Sequence, residues 1–241
     1  MEMPTEIQNQ AMGYDRAATM FSPEGHLLQV EYAEKTVKLG SSSVGLVCKD
    51  GILIVADKRI RDKLIASESA GKIFEIDSHI VATAAGILSD ARILVDSAQV
   101  LAQQNRVTYD SEIEPISVIR MIADNKQKFT QYGGARPYGV SIMLGGVKKG
   151  KSHLYTTDVT GNFLAYRANA IGEHDEQIKE ELRKDFKDDM SIEEGIRFVM
   201  KIFKKILGKN FESGRFDVGY VKLDNPVLVN LEGDSLKKYS K

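Results

Sequence analysis

The stretch VGLVCKDGILIVADKR, residues 44–59, constrains the fold more than any other part of this sequence. It consists of two apolar runs separated by Asp50-Gly51, and an Asp-Gly pair between such runs is a strong signal for a two-stranded hairpin. The apolar residues are nearly continuous instead of alternating with polar ones, which is typical of strands covered on both faces. The chain is therefore expected to build a sheet that lies between two other layers.

The other predicted strands come in groups. KIFEID and HIVATAAG are predicted to be two strands joined by a turn near Asp77-Ser78, and VSIMLGGV is followed by a second hairpin whose return strand begins at His153. RFDVGYVKL is the last clear strand, and the tail LEGDSLKKYSK has no predicted role. Groups of strands that alternate with pairs of helices favour packed antiparallel sheets with helices on the outer faces, an α+β fold.

Four helices are predicted in two pairs, from apolar residues that recur every three or four positions. Ser89 or Asp90 is expected to cap the first helix, because a short polar side chain can accept a hydrogen bond from the free N–H groups of the first turn. The four helices cover residues 89–107, about 116–132, about 173–186 and about 191–207.

A shorter amphipathic helix is predicted ahead of the first hairpin, over Pro23–Leu39. Ser22 is placed to cap its free N–H groups, and Pro23 suits the first helical position. Gly40 suits a left-handed stop at its end.

Composition narrows the classes of function. The 33 basic and 34 acidic side chains give a formal net charge of −1, so no overall field favours nucleic acid or an anionic membrane as a partner. Cys48 is the one cysteine, and its apolar neighbours predict a buried core residue in a reducing cytoplasm. The four histidines are scattered, so neither a metal site nor another cofactor is predicted.

The amino-terminal stretch MEMPTEIQNQAMG has neither the basic flank nor the apolar core of a signal peptide. No apolar run approaches the roughly 20 residues of a membrane helix. We therefore expect a cytoplasmic protein in which residues 1–13 form a mobile segment and residues 14–241 form a single domain.

The segment GGVKKGKS, Gly145–Ser152, matches the phosphate-loop pattern and raises the alternative of a nucleotide-binding protein. Such a loop needs a helix directly after it, because the helix N-terminus holds the phosphates. The next residues, HLYTTDVTGNFLAY, are rich in β-branched and aromatic types. The segment is therefore expected to be a hairpin turn with solvated lysines.

The stretch GYDRAATMFSPEGHLLQVEYA, residues 13–33, resembles the amino-terminal signature of proteasome α subunits. The resemblance continues through VGLVCKDGILIVADKR, AAGILSDARILVD, QYGGARPYGVSIML and NAIG, and it is nearest to the α subunits of archaeal 20S core particles. It implies a four-layer αββα sandwich of two antiparallel sheets, the fold of amino-terminal nucleophile hydrolases, with the helix at Pro23–Leu39 as an extra helix across the top.

The related β subunits are hydrolases with an amino-terminal threonine nucleophile, whose own amine serves as the base. Gly40 and Ser41 lie at the equivalent boundary here, Asp57 follows as the family's acid does, and Lys72 lies one residue short of the catalytic lysine. Forty residues precede Ser41, so no free amine lies beside its hydroxyl. The resemblance therefore implies a noncatalytic subunit, and a self-processing serine hydrolase that uses Ser41 is the alternative.

As an α subunit, the chain would join six further α subunits in the heptameric outer ring of the core particle. The ring would template the β ring and restrict the entry of unfolded protein substrates, with residues 1–13 as the gate. The resemblance implies that a cluster between neighbouring subunits holds the open gate, and that Arg16 pairs with an acidic group of a neighbour or organises its own subunit. The cluster residues are Tyr14, Asp15, Pro23 and Tyr32.

Lys72 matches the lysine of the pocket between adjacent α subunits where the carboxyl terminus of a regulatory ATPase docks, with Glu31 and Gly40 shaping the pocket. A lysine can donate to a carboxylate as a point charge. The other interpretation is a solvated lysine. Gly71 stands where an acidic residue often precedes the lysine, which predicts a more flexible and less charged pocket wall.

Overall fold

The computed structural model describes residue 9 and residues 11–59, 62 and 64–239. Within these residues the chain forms five α-helices and ten β-strands. The helices are α1 (Leu28–Leu39), α2 (Leu88–Tyr109), α3 (Pro115–Gln131), α4 (Asp175–Asp185) and α5 (Ile192–Leu207). The strands are β1 (Ser43–Cys48), β2 (Gly51–Asp57), β3 (Phe74–Asp77), β4 (Ile80–Gly86), β5 (Val140–Lys148), β6 (Lys151–Thr157), β7 (Phe163–Ala165), β8 (Ala168–Ile171), β9 (Phe216–Lys222) and β10 (Leu228–Glu232).

The ten strands make two antiparallel sheets of five strands each. The first sheet has the order β10-β9-β2-β1-β8, and the predicted hairpin supplies its two inner strands, with Val44 opposite Val55. The second sheet has the order β3-β4-β5-β6-β7, in which each strand pairs with the next along the chain. Short loops account for the antiparallel pairing of β3 with β4, of β5 with β6 and of β6 with β7, whereas α2 and α3 lie between β4 and β5 in the sequence.

Three hydrophobic clusters hold four layers together. Ile52, Val81 and Met143 belong to the cluster between the two sheets. The first sheet packs its other face on α4 and α5, as Phe203 with Phe216 shows, and the second sheet packs on α2 and α3. Strands β1 and β2 are covered on both faces, which agrees with their nearly continuous apolar sequence. The predicted four-layer αββα sandwich is confirmed.

The helix predicted at Pro23–Leu39 begins five residues later, at Leu28. Ser22 does not cap it: its backbone N–H donates to the carbonyl of His26, and its Oγ accepts from the N–H of His26, which closes a turn before the helix. Helix α1 lies outside the two helix layers, against the ends of β4 and β5.

Two further predictions about helix ends are wrong. Gly40 has φ of −70°, so it is not a left-handed stop. A side chain there would meet the backbone nitrogen of Gly86 at 2.2 Å, which explains the glycine by close approach of two chain segments. Neither Ser89 nor Asp90 caps α2, because Asp90 accepts hydrogen bonds from Arg136 and from the N–H of Gly139.

The carboxyl-terminal residues form two elements that the sequence did not predict. Strand β10 pairs with β9 and was not predicted. A 3-10 helix, Gly233–Tyr239, follows it, and its Leu236 is fully buried in the cluster that α5 covers. The tail therefore closes one side of the core.

Candidate functional site

The start of β1 is held firmly by its neighbours. The N–H of Glu173 donates to the carbonyl of Gly40 at 2.8 Å, and Ser42 Oγ donates to the carbonyl of Glu173. On the opposite side Gly40 lies against Gly86 at the end of β4. These contacts fix the backbone on both sides of Ser41, so the position of its hydroxyl is defined by the fold.

Lys72 is the residue that meets Ser41. Its Nζ donates to the backbone carbonyl and to the Oγ of Ser41, both at 2.8 Å, and its backbone N–H donates to Asp217 Oδ2 at 3.1 Å. The side chain is 2% exposed, so the interpretation of Lys72 as a solvated lysine is wrong. Burial is the main reason why the pKa of Lys72 falls to about 8; Arg59 lowers it further, and the nearby aspartates Asp57 and Asp217 oppose this.

The two aspartates beside Lys72 already have partners. Asp57 is 1% exposed and accepts a bidentate pair from Arg215, with Nε to Oδ1 at 2.8 Å and the terminal nitrogen to Oδ2 at 2.6 Å. Asp217 forms an ion pair of 2.7 Å with Lys58. Burial raises the pKa of Asp217, although the Lys58 pair and the N–H of Lys72 act in the opposite direction. Neither carboxylate forms a hydrogen bond with the Lys72 amine.

The amino-terminal signature residues pack on the first turn of α1. Tyr14–Arg16 forms one 3-10 turn, which begins after Gly13 at φ of +79°. Gln29 Nε2 donates to the carbonyl of Asp15 at 2.5 Å, whereas Asp15 Oδ1 is buried and has no hydrogen-bond partner among the described residues. Arg16 is exposed.

The other predicted gate residues lie apart from this turn in the sequence. Pro23 is exposed in the turn closed by Ser22 and His26. Tyr32 is half-buried on α1, with the Lys35 amine 5.3 Å from its ring centre. Residues 1–8 and 10 of the predicted mobile segment lie outside the described residues.

Of the three predicted docking residues, the fold brings two together. Gly40 precedes Ser41 and is therefore next to the Lys72 amine. Glu31 lies nine positions before Gly40, in the first turn of α1, which at 1.5 Å per helical residue places it about 13 Å away. Its carboxylate lies within hydrogen-bond distance, 2.5 Å, of His26 Nδ1.

The phosphate-loop segment is a hairpin turn, as predicted. Gly145–Lys148 ends β5 and Lys151–Ser152 begins β6, so no helix N-terminus follows to hold a phosphate. The prediction of solvated lysines is only partly correct, because Lys148 is 14% exposed and donates to Glu112, while Lys149 pairs with Glu114.

Lys126 was not predicted as a notable residue, yet it is fully buried in α3. Its Nζ donates to the carbonyls of Val140 at 2.8 Å and of Asp158 at 2.9 Å. Burial lowers the pKa of Lys126 to about 7. The sequence did indicate that Lys126 faces the core, because it lies four residues after Ile122 on the apolar face that also includes Ile119.

Cys48 is buried, as predicted, and burial raises the pKa of its thiol to about 12. A thiol in that state is a poor nucleophile. No helix within the described ranges is long and apolar enough to cross a membrane.

Two antiparallel sheets between helix layers, with a hydroxyl, a lysine and two aspartates gathered at the start of β1, define a fold of the amino-terminal nucleophile hydrolase class. In this chain the hydroxyl belongs to a residue that follows a long amino-terminal segment.

Comparisons with known proteins identify the family. The proteasome subunit model matches residues 37–221, and the N-terminal signature of proteasome A subunits matches residues 14–35. The chain therefore belongs to the proteasome subunit family and carries the α-type signature.

Relatives named proteasome subunit alpha match almost the whole chain. The protein of Methanosarcina thermophila is 44% identical over 95% of this chain and 92% of its own length. That of Archaeoglobus fulgidus is 41% identical over the same shares. That of Methanocaldococcus jannaschii is 38% identical over 93% of this chain and 86% of its own length.

Proposed function

We propose that this chain is the noncatalytic, ring-forming and gating α subunit of a 20S proteasome core particle. The observation that carries the proposal is the position of Ser41. It follows the segment that bears the signature, and that segment is tied to α1 through Gln29 and Asp15. A nucleophile activated by its own amine has no place there, so the proteolytic step belongs to the β subunits.

The gate consists of residues 1–13 together with the signature turn and the residues around it. The buried Asp15 Oδ1 supports this, because a buried carboxylate oxygen that has no hydrogen-bond partner among the described residues can gain one across a subunit contact. Tyr14, Pro23 and Tyr32 complete the cluster, and Arg16 is exposed and available to an acidic group of a neighbour.

Assembly with six further α subunits and with β subunits requires large contact surfaces. Helix α2 offers one, since Ile93, Val100 and Val107 recur every seven residues and are 49%, 55% and 87% exposed. An apolar stripe of this kind on the surface of a folded chain indicates a protein partner. Unfolded cytoplasmic proteins are the substrates of the assembled particle, with no role for nucleic acid or membrane.

A regulatory ATPase docks its carboxyl terminus at Lys72. Gly40 lies beside the Lys72 amine, while Glu31 is at the far end of α1. Glu31 lies about 13 Å from Gly40 along the helix, and an adjacent copy is proposed to supply the other wall of the pocket.

The test uses particles assembled with β subunits and measures hydrolysis of a fluorogenic peptide with and without the ATPase. Deletion of residues 1–12 is expected to speed peptide entry, because the plug is removed. Lys72→Ala is expected to abolish stimulation by the ATPase. The control is Lys149→Ala, which is expected to leave stimulation unchanged because Lys149 is an exposed residue of the β5–β6 turn. Unchanged entry would remove residues 1–12 from the gate, and normal stimulation of the Lys72 variant would refute the docking assignment.

A further inference from the structure

A cavity of about 230 Å³ opens between α1, α4 and the connection from β6 to β7. A single water molecule needs only a small fraction of that volume, so the cavity has room for a small organic molecule. Its walls carry both polar and apolar side chains, which is typical of sites that bind such molecules. Neither Ser41 nor Lys72 lines it, so it is separate from the site at the start of β1.

Glu34 places a carboxylate without a partner on the wall that α1 supplies. It forms neither a hydrogen bond nor an ion pair with any residue that the structure describes. Burial raises the pKa of Glu34, the charges of Asp158 and Glu31 raise it further, and Lys38 opposes this only in part. A positively charged group in the cavity would stabilise the ionised form of Glu34.

Asp158, on the connection from β6 to β7, brings a second carboxylate to the cavity. Its Oδ1 accepts hydrogen bonds from the N–H and the hydroxyl of Thr160 and from the N–H of Asn162, whereas none of the described residues donates to its Oδ2. Asp175 also lines the cavity, but it forms an ion pair of 2.7 Å with Lys179. The two carboxylates on the side of α1 therefore leave negative charge unbalanced.

Asn169 adds a buried acceptor to the same cavity. It is 6% exposed, and its Nδ2 donates to Thr156 Oγ1 at 3.0 Å, whereas its Oδ1 accepts no hydrogen bond from the part of the chain that the structure describes. A buried carbonyl oxygen without a donor is costly, so a ligand that supplies an N–H group gains from binding here. The apolar part of the lining includes Val37, Val159 and Leu164.

These groups favour an organic cation over a metal ion. No group of three or more His, Cys, Asp or Glu side chains that could hold a metal occurs within the described ranges. An ammonium group carries three N–H donors and no acceptor, which suits carboxylate and amide oxygens. A short alkyl chain suits the apolar walls between them.

We propose that this cavity binds a short aliphatic diamine. One ammonium group binds the carboxylates of Glu34 and Asp158, and the second donates to Asn169 Oδ1. The alkyl chain between them lies along Val37 and Val159. Because Glu34 belongs to α1 and Asp158 to the connection from β6 to β7, the bound diamine ties α1 to the second sheet.

The experiment titrates the chain, in the assembly that it forms in solution, with 1,5-diaminopentane and follows methyl signals by NMR. At about pH 8 the probe is charged, while the buried amine of Lys126, whose pKa is about 7, is largely neutral and competes little for Asp158. For a probe of this size we expect a Kd of about 1 mM and shifts of the methyl signals of Val37, Val159 and Leu164. Pentan-1-ol, which has the same chain and no charge, is expected to bind at least about tenfold more weakly.

Two variants test the role of the carboxylates. Glu34→Gln keeps the shape and removes the charge, so it is expected to weaken diamine binding by about tenfold. Asn162→Asp adds a carboxylate at an exposed position of the wall and is expected to strengthen binding. Glu180→Gln is the matched control, because Glu180 is an exposed residue of α4 outside the cavity, and it is expected to leave the Kd unchanged.

The inference is overturned if the methyl signals of the cavity do not shift, or if the alcohol binds as well as the diamine. Equal affinity of wild type and Glu34→Gln would also overturn it. Equal weakening by Glu34→Gln and Glu180→Gln would show a general attraction of the diamine to acidic surface, which refutes a specific site.

Discussion

At the scale of single residues, two lysines place ionisable amines in the buried part of the protein. Lys72 and Lys126 are 2% and 0% exposed, and each amine donates to backbone carbonyls. Lys126 donates no hydrogen bond to a carboxylate in the described part of the chain. Burial lowers its pKa to about 7, and the nearby charge of Asp158 opposes this.

This pKa predicts how stability depends on pH. The pKa of Lys126 is about 7 in the folded chain and about 10.4 in the unfolded chain. Between these values the unfolded chain binds a proton that the folded chain has released, so the free energy of unfolding rises with pH; below about pH 7 both states are protonated and the cost of burying the charge is fully present. Lys126→Met is expected to reduce the rise between pH 7 and 10, measured by urea unfolding.

Lys128→Met is the control for this experiment, because Lys128 lies two positions further along α3 and is exposed. Lys72 also makes the free energy of unfolding rise with pH above about pH 8. Its contribution is the same in wild type and in both variants, so it cancels when they are compared. A Lys126 variant whose unfolding free energy rises as steeply as that of wild type would contradict the account.

At the scale of elements, the connection from α1 to β1 is fixed by close packing. A Cβ at Gly40 would lie 2.2 Å from the backbone nitrogen of Gly86, and backbone atoms of two packed segments cannot both retreat. Gly40→Ala is therefore expected to lower the unfolding free energy by about 1–3 kcal/mol. Gly133→Ala, where a Cβ meets nothing within 4 Å, is expected to be neutral, and equal effects of the two changes in thermal unfolding would argue against the packing explanation.

The strands that build the two sheets were predictable because their signals are local. The Asp50-Gly51 hairpin, for example, depends on residues close in sequence. The start of α1 was not predictable, because Ser22 and Pro23 suit the start of a helix and equally suit the turn that forms there instead. Strand β10 was missed because its sequence, LVNLE, mixes polar and apolar residues without a clear period, and all five residues are partly or fully exposed.

The site was predictable only in part, for a similar reason. Family resemblance pointed to Lys72 and Ser41, but their contact at 2.8 Å joins residues 31 positions apart. The burial of Lys72 and its support from Asp217 depend on how β9 lies beside β2, which no local pattern encodes.

At the scale of the whole molecule, the stripe on α2 predicts a contact surface. Glutamate at Val100 and Val107 is expected to reduce ring or particle assembly while the subunit still folds, because both side chains are exposed in the single chain. Val227→Glu is the control, since Val227 is 50% exposed but lies outside the stripe. Size-exclusion chromatography separates the outcomes, and normal assembly of the α2 variant would exclude the stripe from the contacts.

The most direct test of the central claim, a noncatalytic ring subunit, is native mass spectrometry of the purified chain. We expect an unprocessed chain of 26.8 kDa in an assembly of seven copies, or of two such rings. A chain cut before Ser41 would instead show the self-processing hydrolase, and an intact monomer would contradict the ring.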